Sequence, residues 1–175
     1  MIVSFSELSE IDQQNRIDQY REFMITDGEL VEHVVDQVKR ICRELFNNPH
    51  LEIHYSVGAS DDYFIMGMDE WRYSPGAVRN IIADYPQDFE LHKILNRWQT
   101  LQRKHFYKLH GDTKFFRSSM TVDTYKNETY IDREIENEME TIMRDLAYHF
   151  LKWVRDEFEY QTSDQTIREF LFDVE

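Results

Sequence analysis

A regular series of acidic side chains lies in the segment Tyr130 to Phe150, with a carboxylate at every second position from Asp132 to Glu140. Such a run can form an anionic surface that attracts a cationic protein, or it can be the solvent-facing side of a helix. Successive helical residues rotate by about 100°, so alternate acids fall on two flanks. Carboxylates in a first helical turn also stabilise the helix by roughly 0.3–1 kcal/mol each. Both interpretations stay open, and the candidate partner-binding residues are Glu134, Glu136, Glu138, Glu140, Asp61 and Asp62.

The best candidate metal ligands are Glu29, His33 and Asp36, which share one patch of a predicted helix. Carboxylate plus imidazole suits several divalent metals. A di-metal carboxylate site needs a Glu-x-x-His pair on a second helix, and this sequence has no second copy, so we expect neither a metal nor a cofactor. The single cysteine, Cys42, lies on an apolar stripe, and we expect a small buried hydrophobe rather than a nucleophile.

Catalytic motifs are missing from the sequence. It contains no glycine-rich phosphate loop followed by Lys-Ser/Thr, no Gly-x-Ser-x-Gly elbow and no His-Glu-x-x-His. We therefore expect a protein that is not an enzyme.

Charge is distributed unevenly along the chain. The window from Lys93 to Arg117 carries seven basic residues and one acid, a net charge of +6, which leaves −20 on the rest of a chain of net charge −14. Most of the surface should therefore repel nucleic acid and attract basic partners. Within the window, bases alternate with aromatic residues, a pattern that can stack and neutralise single strands. The competing interpretation is that the aromatics face the core while the bases pair with acidic helices of the same fold. The alternative nucleic-acid-binding residues are Arg103, Lys104, Lys108, Lys114 and Arg117.

Apolar periodicity predicts the elements that must position these residues. "SELSEIDQQNRIDQYREFMI" predicts a first helix with Leu8, Ile11, Ile17, Tyr20 and Met24 on one face, ending at a turn at Asp27-Gly28. A second helix follows, with one stripe made of Leu30, Val34, Val35, Val38, Ile41, Cys42 and Leu45. "LEIHYSV" and "YFIMGM" predict two antiparallel strands. "SPGAVRNIIADYP" and "DFELHKILNRWQTLQR" predict two further helices.

The second half predicts a hairpin and two helices. "KHFYKLHGDTKFFRSSMTVDTY" is interpreted as two strands around a tight turn at His110-Gly111-Asp112. A helix from Tyr130 to Tyr160, about 45 Å long, carries one stripe that either faces the core or joins two copies in a homodimer. That stripe consists of Ile131, Ile135, Met139, Ile142, Leu146, Phe150 and Trp153. A shorter helix begins at Ser163.

The fold expected from these elements is α+β: a small antiparallel sheet of about four strands with helices packed on one face and a long C-terminal amphipathic helix. Residues 1–175 are expected to form a single domain. The N-terminal segment has no signal-like apolar run, and no window approaches the ~20 apolar residues of a membrane span. We therefore expect a cytoplasmic protein without a membrane partner.

Three segments resemble a family of small phage and prophage proteins labelled "antitoxin of toxin–antitoxin stability system". They are "FSELSEIDQQNRIDQYREF", "HFYKLHGDTKFFRSSMTVD" and "IMRDLAYHFLKWVRDEFEYQTSDQTIREFLFD". The resemblance spans most of the chain and is weakest from residue 58 to 100. It implies an accessory gene of a bacterial virus rather than a housekeeping enzyme, and it supplies no catalytic residues.

These observations predict a non-enzymatic phage-type protein that inhibits a host nucleic-acid-handling defence protein, such as a CRISPR effector or a restriction enzyme. Its carboxylates would occupy a basic groove that normally holds phosphates. The alternative is an antitoxin-like protein that neutralises a basic toxin, or that represses DNA through the basic hairpin of residues 93–117. Direct nucleic-acid binding is expected only in that second case.

Overall fold

The structure is a computed structural model that describes residues 4–27 and 29–174. The predicted turn residue Gly28 lies outside the described residues. The helices are α1 (Glu10–Asp27), α2 (Glu32–Phe46), α3 (Ala77–Asp84), α4 (Phe89–Lys104), α5 (Arg133–Gln161) and α6 (Asp164–Asp173). The strands are β1 (Glu52–Ser56), β2 (Tyr63–Arg72), β3 (Leu109–Phe116), β4 (Ser119–Lys126) and β5 (Thr129–Tyr130). The predicted α+β class is confirmed.

The strands form one antiparallel sheet in the order β1-β2-β3-β4-β5, so each strand pairs with its neighbours in sequence. Strand β1 pairs with β2 from Glu52↔Gly67 to Ser56↔Tyr63. Strand β3 pairs with β4 from Leu109↔Lys126 to Phe116↔Ser119. The fifth strand is only two residues long, which is why the sequence predicts about four.

The predicted turn at His110-Gly111-Asp112 is wrong, because these residues lie inside β3. The chain reverses instead at Arg117-Ser118, where Arg117 has a φ of 57°. Gly111 serves close packing rather than turning: a Cβ there would overlap the carbonyl oxygen of Asp123 and lie 2.7 Å from Cζ2 of Trp71. A glycine inside a strand is typical of such close approach.

The start of the predicted hairpin is also wrong, because α4 continues to Lys104 and the next four residues form a loop. Phe106 and Tyr107 have φ values of 57° and 58° in this loop. Two successive residues in the left-handed region end the helix and cannot belong to a strand.

Helix α5 is the central packing element. Met139, Ile142, Leu146 and Phe150 are at most 1 % exposed, and the helix contacts β2, β4, α2 and α4. Fully burying such a side chain stabilises the fold by roughly 1.5–3 kcal/mol. The middle of the predicted stripe therefore faces the core of its own chain and is not available as a dimer seam.

Helix α1 packs on α6 rather than on the main core. Ile17, Ile167, Leu171 and Phe5 form this small second cluster, and the Arg21 guanidinium bonds to Asp164 and to the carbonyl oxygen of Thr162. Ile11 is 75 % exposed, so its place on the predicted apolar face is wrong. One neighbouring helix covers only a narrow stripe of α1.

None of the helices in the described part of the chain combines the length and the apolar composition that a membrane span requires.

We predict that Gly111→Ala lowers the free energy of unfolding by about 3 kcal/mol, because β4 and Trp71 leave no room for a methyl group. The matched control is Gly76→Ala. Gly76 has a φ of 86° and nothing within 4 Å of a built Cβ, so only backbone strain of about 1–2 kcal/mol is expected. Urea unfolding of both variants measures the difference, and equal losses would contradict the packing role of Gly111.

Candidate functional site

The acidic turns of α5, defined here as Glu134, Glu136, Glu138 and Glu140, begin just after the capping residue Asp132. The Asp132 carboxylate accepts a hydrogen bond of 3.0 Å from the Glu134 N–H. Glu134 and Glu138 are exposed and Glu136 is half-buried. Within the described residues, no lysine or arginine nitrogen lies within 4.0 Å of these three carboxylates. Glu140 differs, because Arg144 of the next turn lies 2.6 Å away.

The other two predicted acids lie far from the acidic turns. Asp62, 17 % exposed, accepts a hydrogen bond of 2.9 Å from Nε of Arg155, and Asp61 beside it is exposed. Arg155 is 17 residues beyond Glu138 on α5, or about 25 Å along the axis. Asp62 therefore ties the β1–β2 turn to α5, and the six predicted acids do not form one surface.

The predicted basic residues also lie on two separate parts of the molecule. Lys114 lies 3.3 Å from Asp112 and 3.1 Å from Asp123, and hydrogen bonds first to Asp123 and then to Asp112 raise the pKa of its ammonium. Its charge is thus balanced by two aspartates of the sheet, whereas the sequence predicted pairing with acidic helices, so the predicted partners are wrong for this residue. Arg117 lies in the β3–β4 turn. Lys114 and Arg117 lie toward the C-terminal end of β3, whereas Arg103, Lys104 and Lys108 precede its N-terminal end.

The basic loop, defined as residues 103–108, presents cations and aromatic rings together. Arg103, Lys104 and Lys108 are exposed, and so are Phe106 (76 %) and Tyr107 (45 %). The competing interpretation that these aromatics face the core is therefore wrong for both rings. Tyr107 lies against Tyr73 with ring centroids 4.5 Å apart, and Nζ of Lys126 lies 5.8 Å from the Phe106 centroid.

The basic loop lies beside the acidic turns. Burial lowers the pKa of His105, and the charges of Lys126 and Lys104 lower it further, while Glu138 opposes them. The charges of Lys126 in β4, Lys104 in the basic loop and Glu138 in α5 therefore all act on the His105 imidazole. The two oppositely charged surfaces meet at one end of the α4–α5 pair.

An aromatic groove that the sequence analysis missed lies farther along α5. Here the loop between α3 and α4 faces α5 across a cavity of about 560 Å³. One carboxylate organises it: Oδ2 of Asp88 accepts hydrogen bonds from Nε2 of His149 (2.7 Å) and Nε1 of Trp153 (3.1 Å). Its Oδ1 accepts 2.9 Å from the N–H of Leu91 and caps α4. We call this cavity the Trp153 groove.

Asp88 is held in its ionised form by these donors. Burial alone would raise the pKa of its carboxyl, but the bonds from Leu91, His149 and Trp153 outweigh that effect and lower it. Asp88 lies 61 residues from His149 and 65 from Trp153, so no local motif joins them. Only the i, i+4 spacing of His149 and Trp153 indicates a shared helical face.

The other candidates are occupied by contacts within the fold. His33 lies 3.4 Å from Glu157 and Asp36 lies 3.2 Å from Lys39. In the part of the chain that the structure describes, no group of three or more His, Cys, Asp or Glu residues could hold a metal ion. Cys42 is buried against Met66 and burial raises the pKa of its thiol, which confirms the prediction of a small buried hydrophobe.

Comparison with protein families gives a match to a domain of unknown function (DUF8835) over residues 65–164, more than half of the chain. The matched segment runs from β2 to the start of α6 and includes the acidic turns, the basic loop and the Trp153 groove. Asp61 and Asp62 lie outside it. No curated protein matches the chain, and no solved structure does either.

We predict that Asp88→Ala lowers the free energy of unfolding by about 2–4 kcal/mol. The variant loses a helix cap, worth about 1 kcal/mol, and leaves the His149 and Trp153 donors without their acceptor, at a further cost of about 1–3 kcal/mol. The control is Ser163→Ala, which removes the cap of α6 and should cost only about 1 kcal/mol.

The destabilisation should also depend on pH with a defined sign. A carboxyl whose pKa is lowered by folding stabilises the native state above its ordinary pKa of 3.8, and this contribution is lost as pH falls through the native pKa. Urea unfolding should therefore show a larger difference between wild type and Asp88→Ala at neutral pH than in acid. A difference that grows in acid would contradict the assigned bonds.

Proposed function

The chain belongs to the DUF8835 family of domains of unknown function, and we propose its function from the charges that this molecule displays. It is a non-enzymatic accessory protein of the phage type that binds and inhibits a host nucleic-acid-handling defence protein, such as a CRISPR effector or a restriction enzyme. Its acidic turns occupy a positively charged groove that otherwise holds a nucleic acid.

The observation that carries this proposal is the set of carboxylates on the first turns of α5, three of which have no lysine or arginine partner among the described residues. One carboxylate at every second residue corresponds to one negative charge per ~3 Å of helix axis. A single DNA strand carries one phosphate per ~3.4 Å. The axial charge density of this segment therefore approximates that of a nucleic-acid strand, although its charges lie on two flanks of the helix.

Internal ion pairs reduce the number of predicted carboxylates that can bind a partner without first losing a cation of their own fold. Asp62 is bonded to Arg155 and Glu140 to Arg144, so both would have to exchange a partner of their own before binding another cation. Binding through Glu134, Glu136 and Glu138 breaks no ion pair with a lysine or arginine among the described residues. A cationic groove would then gain affinity mainly by electrostatic attraction, which raises the association rate and weakens with salt.

We predict that the triple variant Glu134→Gln, Glu136→Gln and Glu138→Gln weakens binding to the host partner about tenfold or more while the melting temperature changes little. These side chains are not fully buried, and within the part of the chain that the structure describes they have no lysine or arginine partner to lose. Affinity is measured by titration calorimetry at two salt concentrations, and wild-type binding should weaken more steeply with salt than binding of the variant.

The charge-matched control is the triple variant Glu10→Gln, Glu22→Gln and Glu29→Gln. All three positions are exposed and lie on or near α1, so the net charge changes equally. Unchanged affinity in this control together with loss in the α5 variant supports the proposal. Equal losses in both triples would show that net charge alone is responsible, and no loss in either would remove the acidic turns from the interface.

A second candidate function is supported by the basic loop. Exposed Phe106 and Tyr107, with three exposed cations around them, are the combination that proteins use to bind single strands without sequence preference. An antitoxin-like protein that represses DNA through the basic segment of residues 93–117 would use this loop. The same alternative includes neutralisation of a basic toxin, which the acidic turns would perform.

If that second function holds, Arg103→Ala with Lys104→Ala should abolish retardation of single- and double-stranded DNA at low salt. Phe106→Ala should cost roughly 1–3 kcal/mol of single-strand binding, the value of one stacked base. The control is Arg16→Ala with Arg168→Ala, two exposed cations outside the loop. Absence of retardation by the wild-type protein at low salt would remove DNA binding from the account.

A further inference from the structure

The walls of the Trp153 groove are aromatic. Tyr85 and Trp153 have ring centroids 5.3 Å apart, and Phe89, 66 % exposed, lies on the rim. A second cavity of about 360 Å³ also has Tyr85, Trp153 and Asp156 in its lining. The same pair of rings therefore borders two adjoining depressions on the molecule.

The Trp153 ring is fixed in place. Its only polar atom donates to Asp88, and the hydroxyl of Tyr85 accepts a hydrogen bond of 2.9 Å from Gln37. The polar atom of each ring thus has a hydrogen-bond partner within the protein, and the rings offer mainly their π faces and edges to a ligand. A rigid aromatic wall loses little conformational entropy when it binds.

The charges around the groove favour a cation. Asp156 lines both cavities and is exposed, and among the residues described no cationic nitrogen lies within 4.0 Å of its carboxylate. Asp88 and Glu90 add negative charge to the larger cavity, and Glu157 adds it to the smaller one. Glu90 pairs with Lys93 at 2.7 Å, Asp88 accepts from His149 and Trp153, and Glu157 accepts from Gln161. Lys152 adds one positive charge to the larger cavity, and Asp156 is the acid that both cavities offer to a ligand.

We propose that the Trp153 groove binds a lysine or arginine side chain presented by a flexible basic segment of a partner protein. The cation would lie against the Tyr85 and Trp153 rings and pair with the Asp156 carboxylate. A cation over an aromatic face is attracted by the negative charge density of the ring, more strongly for Trp than for Tyr. Two adjoining cavities suit an extended segment better than a single small cation, because neighbouring side chains can occupy both.

This site is separate from the acidic turns. Trp153 lies 15 residues beyond Glu138 on α5, or about 22 Å along the axis, which exceeds the ~8 Å screening length at physiological salt. The groove can therefore bind a basic segment whether or not the acidic turns bind a host protein.

Tryptophan fluorescence tests the proposal on the intact chain. Of its three tryptophans, Trp71 and Trp98 are at most 1 % exposed, so a bound ligand should change chiefly the emission of Trp153. Titration with acetylated, amidated hexa-arginine or hexa-lysine should produce a saturable change, and hexaglutamate should produce none. Asp156→Asn should weaken binding of the basic peptides at least fivefold.

The matched control is Glu159→Gln, which removes an exposed acid of the same helix that does not line the cavities and should change the affinity less than twofold. The Glu134→Gln, Glu136→Gln and Glu138→Gln variant should bind the peptides as wild type does, which separates this site from the acidic turns. The proposal is overturned if the basic peptides leave the emission unchanged, if hexaglutamate acts equally, or if Glu159→Gln costs as much as Asp156→Asn.

Discussion

The contact on which the rest of the structure depends is the apolar stripe of α5 against the sheet. Met139, Ile142, Leu146 and Phe150 are buried together, and because one side of a long helix is committed to the core, its polar sides have fixed directions. The acidic turns then occupy the first third of α5 and Trp153 its final third. The acidic turns and the Trp153 groove are thus held near opposite ends of one rigid element about 43 Å long, and these two sites cannot approach each other.

Net charge alone does not describe which charged surfaces this molecule presents to a partner. The chain is strongly acidic, yet the acidic turns lie next to the basic loop. Charges of both surfaces, Lys104 and Glu138, act on the pKa of His105 in opposite directions. Several predicted acids and bases, among them Asp62 and Lys114, are paired within the fold. What remains for partners is a short anionic segment, a basic aromatic loop and an aromatic groove. Each has a different chemistry, so a partner's own charge pattern would decide which surface it contacts.

Periodicity in the sequence predicts most helices and strands, because core-facing side chains must recur at the period of the element that carries them. It fails at Gly111, where a turn-forming residue serves strand packing, and at Ile11, where too few neighbours cover the helix. It also predicts the exposure of Glu134 and Glu138 correctly. The Asp88–His149–Trp153 cluster could not be predicted, because tertiary packing alone brings a loop and a helix together across more than sixty residues of chain.

The most direct test of the central claim is affinity capture from a host bacterial lysate on the immobilised wild-type protein, followed by elution with increasing concentrations of DNA. The account predicts that a nucleic-acid-binding protein with a basic groove is retained and that DNA displaces it, since both ligands compete for one cationic surface. Retention that DNA does not disturb, or capture of nucleic acid in place of a protein, would contradict it.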